Sequence, residues 1–266
     1  MIAIVYSTTD PASMNIAAQL KAIHGMNDAQ NPIKDPSGIV LYRITTSLMH
    51  ADFLDELGAD LIVFISEHVS AAGTPAMTVH STGNWGEETK FGGKPRSLSV
   101  AAPSAMLAIL SQMKKSKLDM AKTYEATHHG PLLNTPSVFA ELGGNIETMN
   151  NEDGARAVAD SVYQAVTQIT NFKLQYRKVV LGIGGNHYPQ KFSDLAVEKG
   201  YAFSHIMPKY SLINDNADNI SMLDQALSRS SERPQTAVID WKSLNSGIRE
   251  KVITKLGNLG IGYERV

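Results

Sequence analysis

The feature that most constrains this fold is a run of five consecutive apolar residues: Leu61, Ile62, Val63, Phe64 and Ile65. No residue in the run can face water, so a strand here must be covered on both sides. Residues 179–183 have the same character. Around these two runs, short apolar stretches alternate with helical patterns. Strands are predicted at 1–6, 39–44, 61–66, 123–127, 137–142, 179–183, 202–206 and 237–240, with a further one at the end. Asp10 and Pro11 read as the cap and first position of a helix reaching about residue 24. Further helices are predicted near 50–57, 103–117, 153–169, 218–229 and 246–256. This alternation specifies an α/β fold with a mainly parallel sheet. Residues 25–38 read as a loop. So does the long stretch 67–97, which is poor in apolar residues. Loops of that length inside a compact domain are usually functional.

Several classes are excluded by composition. Hydrophobic residues make up 43% and charged residues 19%, which is ordinary for a folded chain. There is no cysteine, so disulfides and thiolate metal sites are impossible. No apolar run approaches the roughly 18 residues that span a bilayer. The first residues lack the basic start of a secretory signal. The expectation is a cytoplasmic monomer without membrane contact. The net charge of −2 leaves no global footprint for nucleic acid. A polyanion would need a local patch such as Lys94 with Arg96, Lys114–Lys117, or Arg177 with Lys178.

The eight histidines are unevenly placed. His24 and His50 fall on predicted helices and read as structural. His68, His80, His128, His129, His187 and His205 fall at strand ends or in glycine-rich turns, where α/β folds place their sites. Glu125-Ala126-Thr127-His128-His129-Gly130-Pro131 puts two adjacent histidines at a predicted strand exit, with Glu125 and Glu141 as nearby carboxylates. Read as a strand, it sets Glu125 and Thr127 on one face, with Ala126 and His128 on the other. Gly184-Gly185-Asn186-His187-Tyr188 follows a buried strand and reads as a turn presenting His187 and Tyr188. It is not a phosphate loop, lacking the GxGxxG pattern and a following Lys-Ser/Thr. Trp85 reads equally as a base-stacking ring or a loop anchor. No HExxH and no GxSxG are present. Spacing alone supports a polar, histidine-lined catalytic pocket, with His68 and His205 as supports.

Taken in order, six stretches resemble the archaeal and plant type of D-aminoacyl-tRNA deacylase. They are Ser66-Glu67-His68, the stretch from Thr78 to Trp85, Glu125 to Pro131, Pro136 to Gly143, Gly182 to Pro189, and His205 to Tyr210. Glu67, Gly144 and Asn186 depart from that pattern. The resemblance implies a single deacylase domain over 1–266 with a three-layer α/β/α fold like that of the phosphorylase and peptidyl-tRNA hydrolase group. It also implies a zinc-dependent hydrolase that cleaves the ester of D-aminoacyl-tRNA at its 3′ acceptor end. Zinc is then expected on His80, His128, His129 and His187. Glu125, His128, His129 and His187 are expected to be catalytic. Gly184 and Gly185 would stabilise an oxyanion, Trp85 or Tyr188 would stack on the terminal adenine, Asn84 would contact substrate, and Glu141 would hold the ammonium group. Two other readings stay open: a metal-independent peptidyl-tRNA hydrolase-like or nucleoside-processing enzyme, and a non-catalytic RNA-binding protein.

Overall fold

A computed structural model describes residues 1–29, 38–170, 176–212 and 216–266. Its first sheet has six strands in the order β2–β1–β3–β8–β4–β7. These are β1 (Ile2–Ser7), β2 (Ile39–Ile44), β3 (Leu61–Val69), β4 (Ala76–His80), β7 (Ala121–Tyr124) and β8 (Ser137–Gly144). All neighbours are parallel except β4 and β8. A second, all-parallel sheet runs β10–β9–β11–β12, with β9 (Lys178–Ile183), β10 (Tyr201–Met207), β11 (Thr236–Ile239) and β12 (Gly262–Arg265). A short ribbon pairs β5 (Gly83–Asn84) with β6 (Ser97–Leu98). The helices are α1 (Pro11–His24), α2 (Pro103–Met113), α3 (Ile146–Met149), α4 (Glu152–Thr170), α5 (Gln190–Lys199), α6 (Leu223–Ser228) and α7 (Ser246–Asn258).

The apolar runs do what their composition demands. Leu61–Ser66 of β3 is buried throughout. Val63 and Ile65 belong to the cluster that contains Ile16 and Leu20 of α1, Ile109 of α2 and Val158 and Val162 of α4. Ile62 and Phe64 lie in another cluster with Leu48 and Leu54, from 3₁₀ turns at Leu48–His50 and Asp52–Leu57. There Phe64 stacks on Phe139 at 4.5 Å. Each such side chain contributes about 1.5–3 kcal/mol on full burial. Val180 and Phe203 of the second sheet join Phe192 of α5, whereas Leu181 and Ile239 join Leu223 of α6 and Val252 of α7. Asp10 caps α1 as its sequence predicts, accepting the Ser13 N–H at 2.8 Å.

Several boundaries differ from the sequence reading. The strands divide between two sheets. Residues 67–97 are not one irregular loop, because β3 continues to Val69 and β4, β5 and β6 follow. All five residues of β4 are buried between β8 and β7. Its polar members find partners inside, so a low apolar count hid a core strand. Residues 52–57 form a 3₁₀ turn instead of an α-helix, and Asn216–Met222 does the same ahead of α6. The strand expected at 123–127 ends at Tyr124. Part of the expected loop at 25–38, residues 30–37, lies outside the described residues.

Candidate active site

Sheet register builds the first half of the site. Ser66 of β3 and Thr78 of β4 both lie opposite Glu141 of β8. Their hydroxyls donate to its carboxylate at 2.9 and 3.0 Å. Two residues further along each strand, and so on the same face, come His68 and His80. His68 Nδ1 is 3.4 Å from Glu141 Oε2, and His80 Nε2 is 3.3 Å from Oε1. Glu141 is buried with all four neighbours around it. It therefore orients the two histidines and has no free oxygen for a substrate ammonium, which corrects the sequence expectation.

The second half comes from the chain leaving β7. The Glu125 N–H still donates to Val79 O at 3.0 Å, but the strand has ended. The expected face alternation therefore does not apply, and Glu125 and His128 converge at 3.7 Å. Glu125 is 1% exposed. His187 Nε2 donates to its Oε2 at 2.6 Å. Its Oε1 forms an ion pair with His68 Nδ1 at 3.0 Å. Tyr210 Oη meets His187 Nδ1 at 3.0 Å, and Tyr188 Oη meets His68 Nε2 at 3.1 Å.

The adjacent histidines form the shared wall. His128 Nδ1 donates to Ala126 O at 2.8 Å and His129 Nδ1 to Gly130 O at 2.5 Å. In the neutral ring this tautomer leaves each Nε2 a bare lone pair. His129 sits at φ +43°, a left-handed conformation rare outside glycine. The turn is clamped by close backbone approach. A Cβ on Gly130 would lie 2.3 Å from Gly93 N and 2.4 Å from Met49 O.

Electrostatics separates the histidines into two kinds. Burial pushes the His68 imidazole down, but the carboxylates of Glu125 and Glu141 more than reverse this and raise it to about 10. Burial also opposes charge on His80, and Glu141 again wins, raising it. Burial and the charge of His80 hold His128 well below its usual value and His129 at about 4. Burial pushes both carboxyls up, yet His187 and His68 hold Glu125 well below the carboxylate range, and His80 does the same for Glu141. Two carboxylate-paired histidines whose protonated form is favoured thus face two whose neutral form is favoured.

Three sets of donors converge, each with ligand atoms within 4.8 Å of one another: His80, His128 and His129; Glu125, His128 and His187; and His68, Glu125 and Glu141. His187 does not join His80 and His129 in one set. The residues fit a borderline cation such as zinc. His128 and His129 supply neutral imidazole nitrogens with Nδ1–H fixed by carbonyls, and Glu125 supplies a buried carboxylate beside them. The histidines and carboxylates line a cavity of about 550 Å³, together with Asp10, Met49, Glu67 and Phe91.

Of the remaining sequence candidates, Tyr188 borders this cavity, whereas Asn84 and Trp85 line a smaller one on the far side of His128 and His129. Gly184 N–H donates to Met207 O and Gly185 N–H to Ser243 Oγ, both at 2.8 Å. Neither is free for an oxyanion. Trp85 is 4% exposed and donates its Nε1–H to Thr127 O at 3.0 Å, so its faces are covered. The Asn84 amide is spent on Gly92 O and Lys94 O. Tyr188 is 40% exposed beside His68 and His187. His205 is buried among Ser81, Ser99 and Arg229, outside the cavity. His24 pairs with Asp160 on α4. Sequence reasoning made His68 a support, whereas it bridges both carboxylates. Asp10 was read only as a cap, yet it also accepts the Glu67 N–H at 2.9 Å on the cavity wall. The alternation Met77-Thr78-Val79-His80 was the signal that would have placed His80 on a strand beside Glu141.

A family model described as D-aminoacyl-tRNA deacylase matches residues 55–264. The D-aminoacyl-tRNA deacylase of Pyrococcus furiosus is 34% identical over 277 residues, covering 99% of both chains. That of Ignicoccus hospitalis is 34% identical over 98% of this chain and 97% of its own. A crystal structure of the conserved protein of unknown function AF0625 superposes with a TM-score of 0.85 at 28% identity, over 100% of this chain and 95% of that one. This chain belongs to the D-aminoacyl-tRNA deacylase family.

Proposed function

We propose that this protein hydrolyses the ester bond of D-aminoacyl-tRNA, releasing free D-amino acid and tRNA, with zinc as its cofactor. The observation that carries the reading is the neutral pair His128–His129 beside the buried Glu125 carboxylate, which is ion-paired to His68 and hydrogen-bonded to His187, all lining one cavity. His128 and His129 would hold the metal through their Nε2 lone pairs, His80 would join them on giving up the proton that Glu141 favours, and Glu125 lies in the neighbouring donor set. Bound there, zinc supplies Lewis acidity toward water and the ester carbonyl.

The chain's own groups do the rest. Glu125 orients the attacking water and takes its proton as the water adds to the ester carbonyl. His187 Nε2, hydrogen-bonded to Glu125 Oε2, passes that proton on to the departing ribose oxygen. Tyr210 fixes the His187 ring through Nδ1. Glu141 holds His68 and His80 in place from beneath. An aminoacyl ester is labile, so this modest activation suffices. The substrate is made in the cytoplasm, where we place the protein. No described helix is long and apolar enough to cross a membrane.

The test compares purified wild type with His128→Ala and His129→Ala on D-tyrosyl-tRNA, together with metal analysis. We expect bound zinc in the wild type and loss of at least about 100-fold in rate in each variant. Full activity without metal would favour the metal-independent hydrolase. Retained activity in both variants would remove the catalytic role of the pair.

A further inference from the structure

A second cavity, of about 230 Å³, adjoins the first. Three residues line both: Phe91, His128 and His129. A substrate that reacts at this wall therefore has two places to put its two halves. The cavities differ in charge. In the larger one His68 and His80 pair with Glu125 and Glu141, which leaves Asp10 and Glu67 as the carboxylates without a cationic partner, and no lysine or arginine lines it among the described residues. The smaller one carries Lys90 with one carboxylate, Glu88, at its rim. It also has two accessible aromatic rings, Phe91 at 55% and Tyr210 at 49% exposure.

An aminoacyl ester of tRNA has the matching asymmetry. The acyl half bears an ammonium group. The nucleotide half bears a 5′ phosphate and a flat base. An acidic cavity attracts the first and repels the second, while aromatic faces and a lysine favour the second. The ester joins the halves, so it falls at the shared wall. We propose that the smaller cavity is the subsite for the terminal adenosine nucleotide, and that the larger one takes the aminoacyl group with its ammonium toward Asp10 and Glu67. This rests on the deacylase reading above and assigns its two substrate halves.

The divider is built for this task. Phe91 O accepts the Gly130 N–H at 2.9 Å, which ties the ring's position to the His128–His129 turn. Lys90 Nζ lies 5.4 Å from the Phe91 ring centre, so base and phosphate contacts come from adjacent residues. Asp10 is fixed by two backbone N–H donors, from Ser13 at 2.8 Å and Glu67 at 2.9 Å. The acidic wall is thus as rigid as the helix cap that makes it.

The probes are adenosine 5′-monophosphate, which is the terminal nucleotide itself, and free D-tyrosine. Each is tested as an inhibitor of D-tyrosyl-tRNA deacylation by the intact enzyme, alone and together. Each constant is also measured by calorimetric titration, so the subsites are tested even in a preparation that does not deacylate. Absent deacylation counts against the functional reading, not against the subsites. The proposal expects both probes to bind at once. Lys90→Glu should raise the constant for the monophosphate about fivefold and leave that for D-tyrosine unchanged. Glu67→Gln should do the reverse. Mutual exclusion of the probes, no binding of the monophosphate, or an unchanged monophosphate constant in Lys90→Glu overturns it.

Discussion

Replacing Trp85 by phenylalanine separates an anchor from a base-stacking platform. The indole is 4% exposed and its Nε1–H is the donor to Thr127 O at 3.0 Å. Thr127 precedes His128 and also accepts the Ile206 N–H on its side chain at 3.0 Å. Trp85→Phe keeps an aromatic ring but removes the donor. A buried carbonyl left without its partner costs about 1–3 kcal/mol. The smaller ring leaves a void worth about 1 kcal/mol more. The expected loss is therefore about 2–4 kcal/mol in urea unfolding monitored by circular dichroism. Because the loosened carbonyl lies one residue from His128, kcat for D-tyrosyl-tRNA should fall while KM for the tRNA changes little. Unchanged stability with KM raised tenfold would refute the anchor account and return Trp85 to the substrate.

Three further outcomes follow from the same geometry. Burial holds His205 at about 4 against 6.5 in the open chain, so the folded state binds fewer protons between those values. Its contribution is complete above pH 6.5 and is lost as pH falls toward 4, up to about 3 kcal/mol. Urea unfolding at pH 7.5 and 5 should show a steeper loss in the wild type than in His205→Gln. Gly184 sits at φ +96°, and a Cβ there would lie 2.5 Å from Ser243 Oγ. Gly184→Ala should cost about 1–3 kcal/mol and lower kcat by displacing His187, as unfolding and single-turnover assays would register. Prolonged chelation should abolish deacylation and lower Tm, and zinc should restore both, because a ligand bound only to the folded state stabilises it.

The legible parts of the fold were those where one residue type has one physical option. The run Leu61–Ile65 could only be a doubly covered strand. The Asp10-Pro11 cap could only start a helix. The histidines at strand exits were visible for the same reason, since adjacent imidazoles beside Gly130 serve no core. What stayed hidden was set by cross-strand register. Nothing near Glu141 in the sequence reveals that Ser66 and Thr78 lie opposite it and saturate its carboxylate. β4 was missed because Thr78 and His80 look like loop residues until their buried partners are known. Gly184 and Gly185 looked like oxyanion donors, but Met207 and Ser243, distant in sequence, already occupy their N–H groups.

The most direct test of the central claim is a paired rate measurement on D-tyrosyl-tRNA and L-tyrosyl-tRNA with the purified, zinc-loaded protein. The account predicts rapid release of D-tyrosine, and hydrolysis of the L-ester close to the uncatalysed rate. Equal rates on the two esters, or no hydrolysis of either, would contradict it.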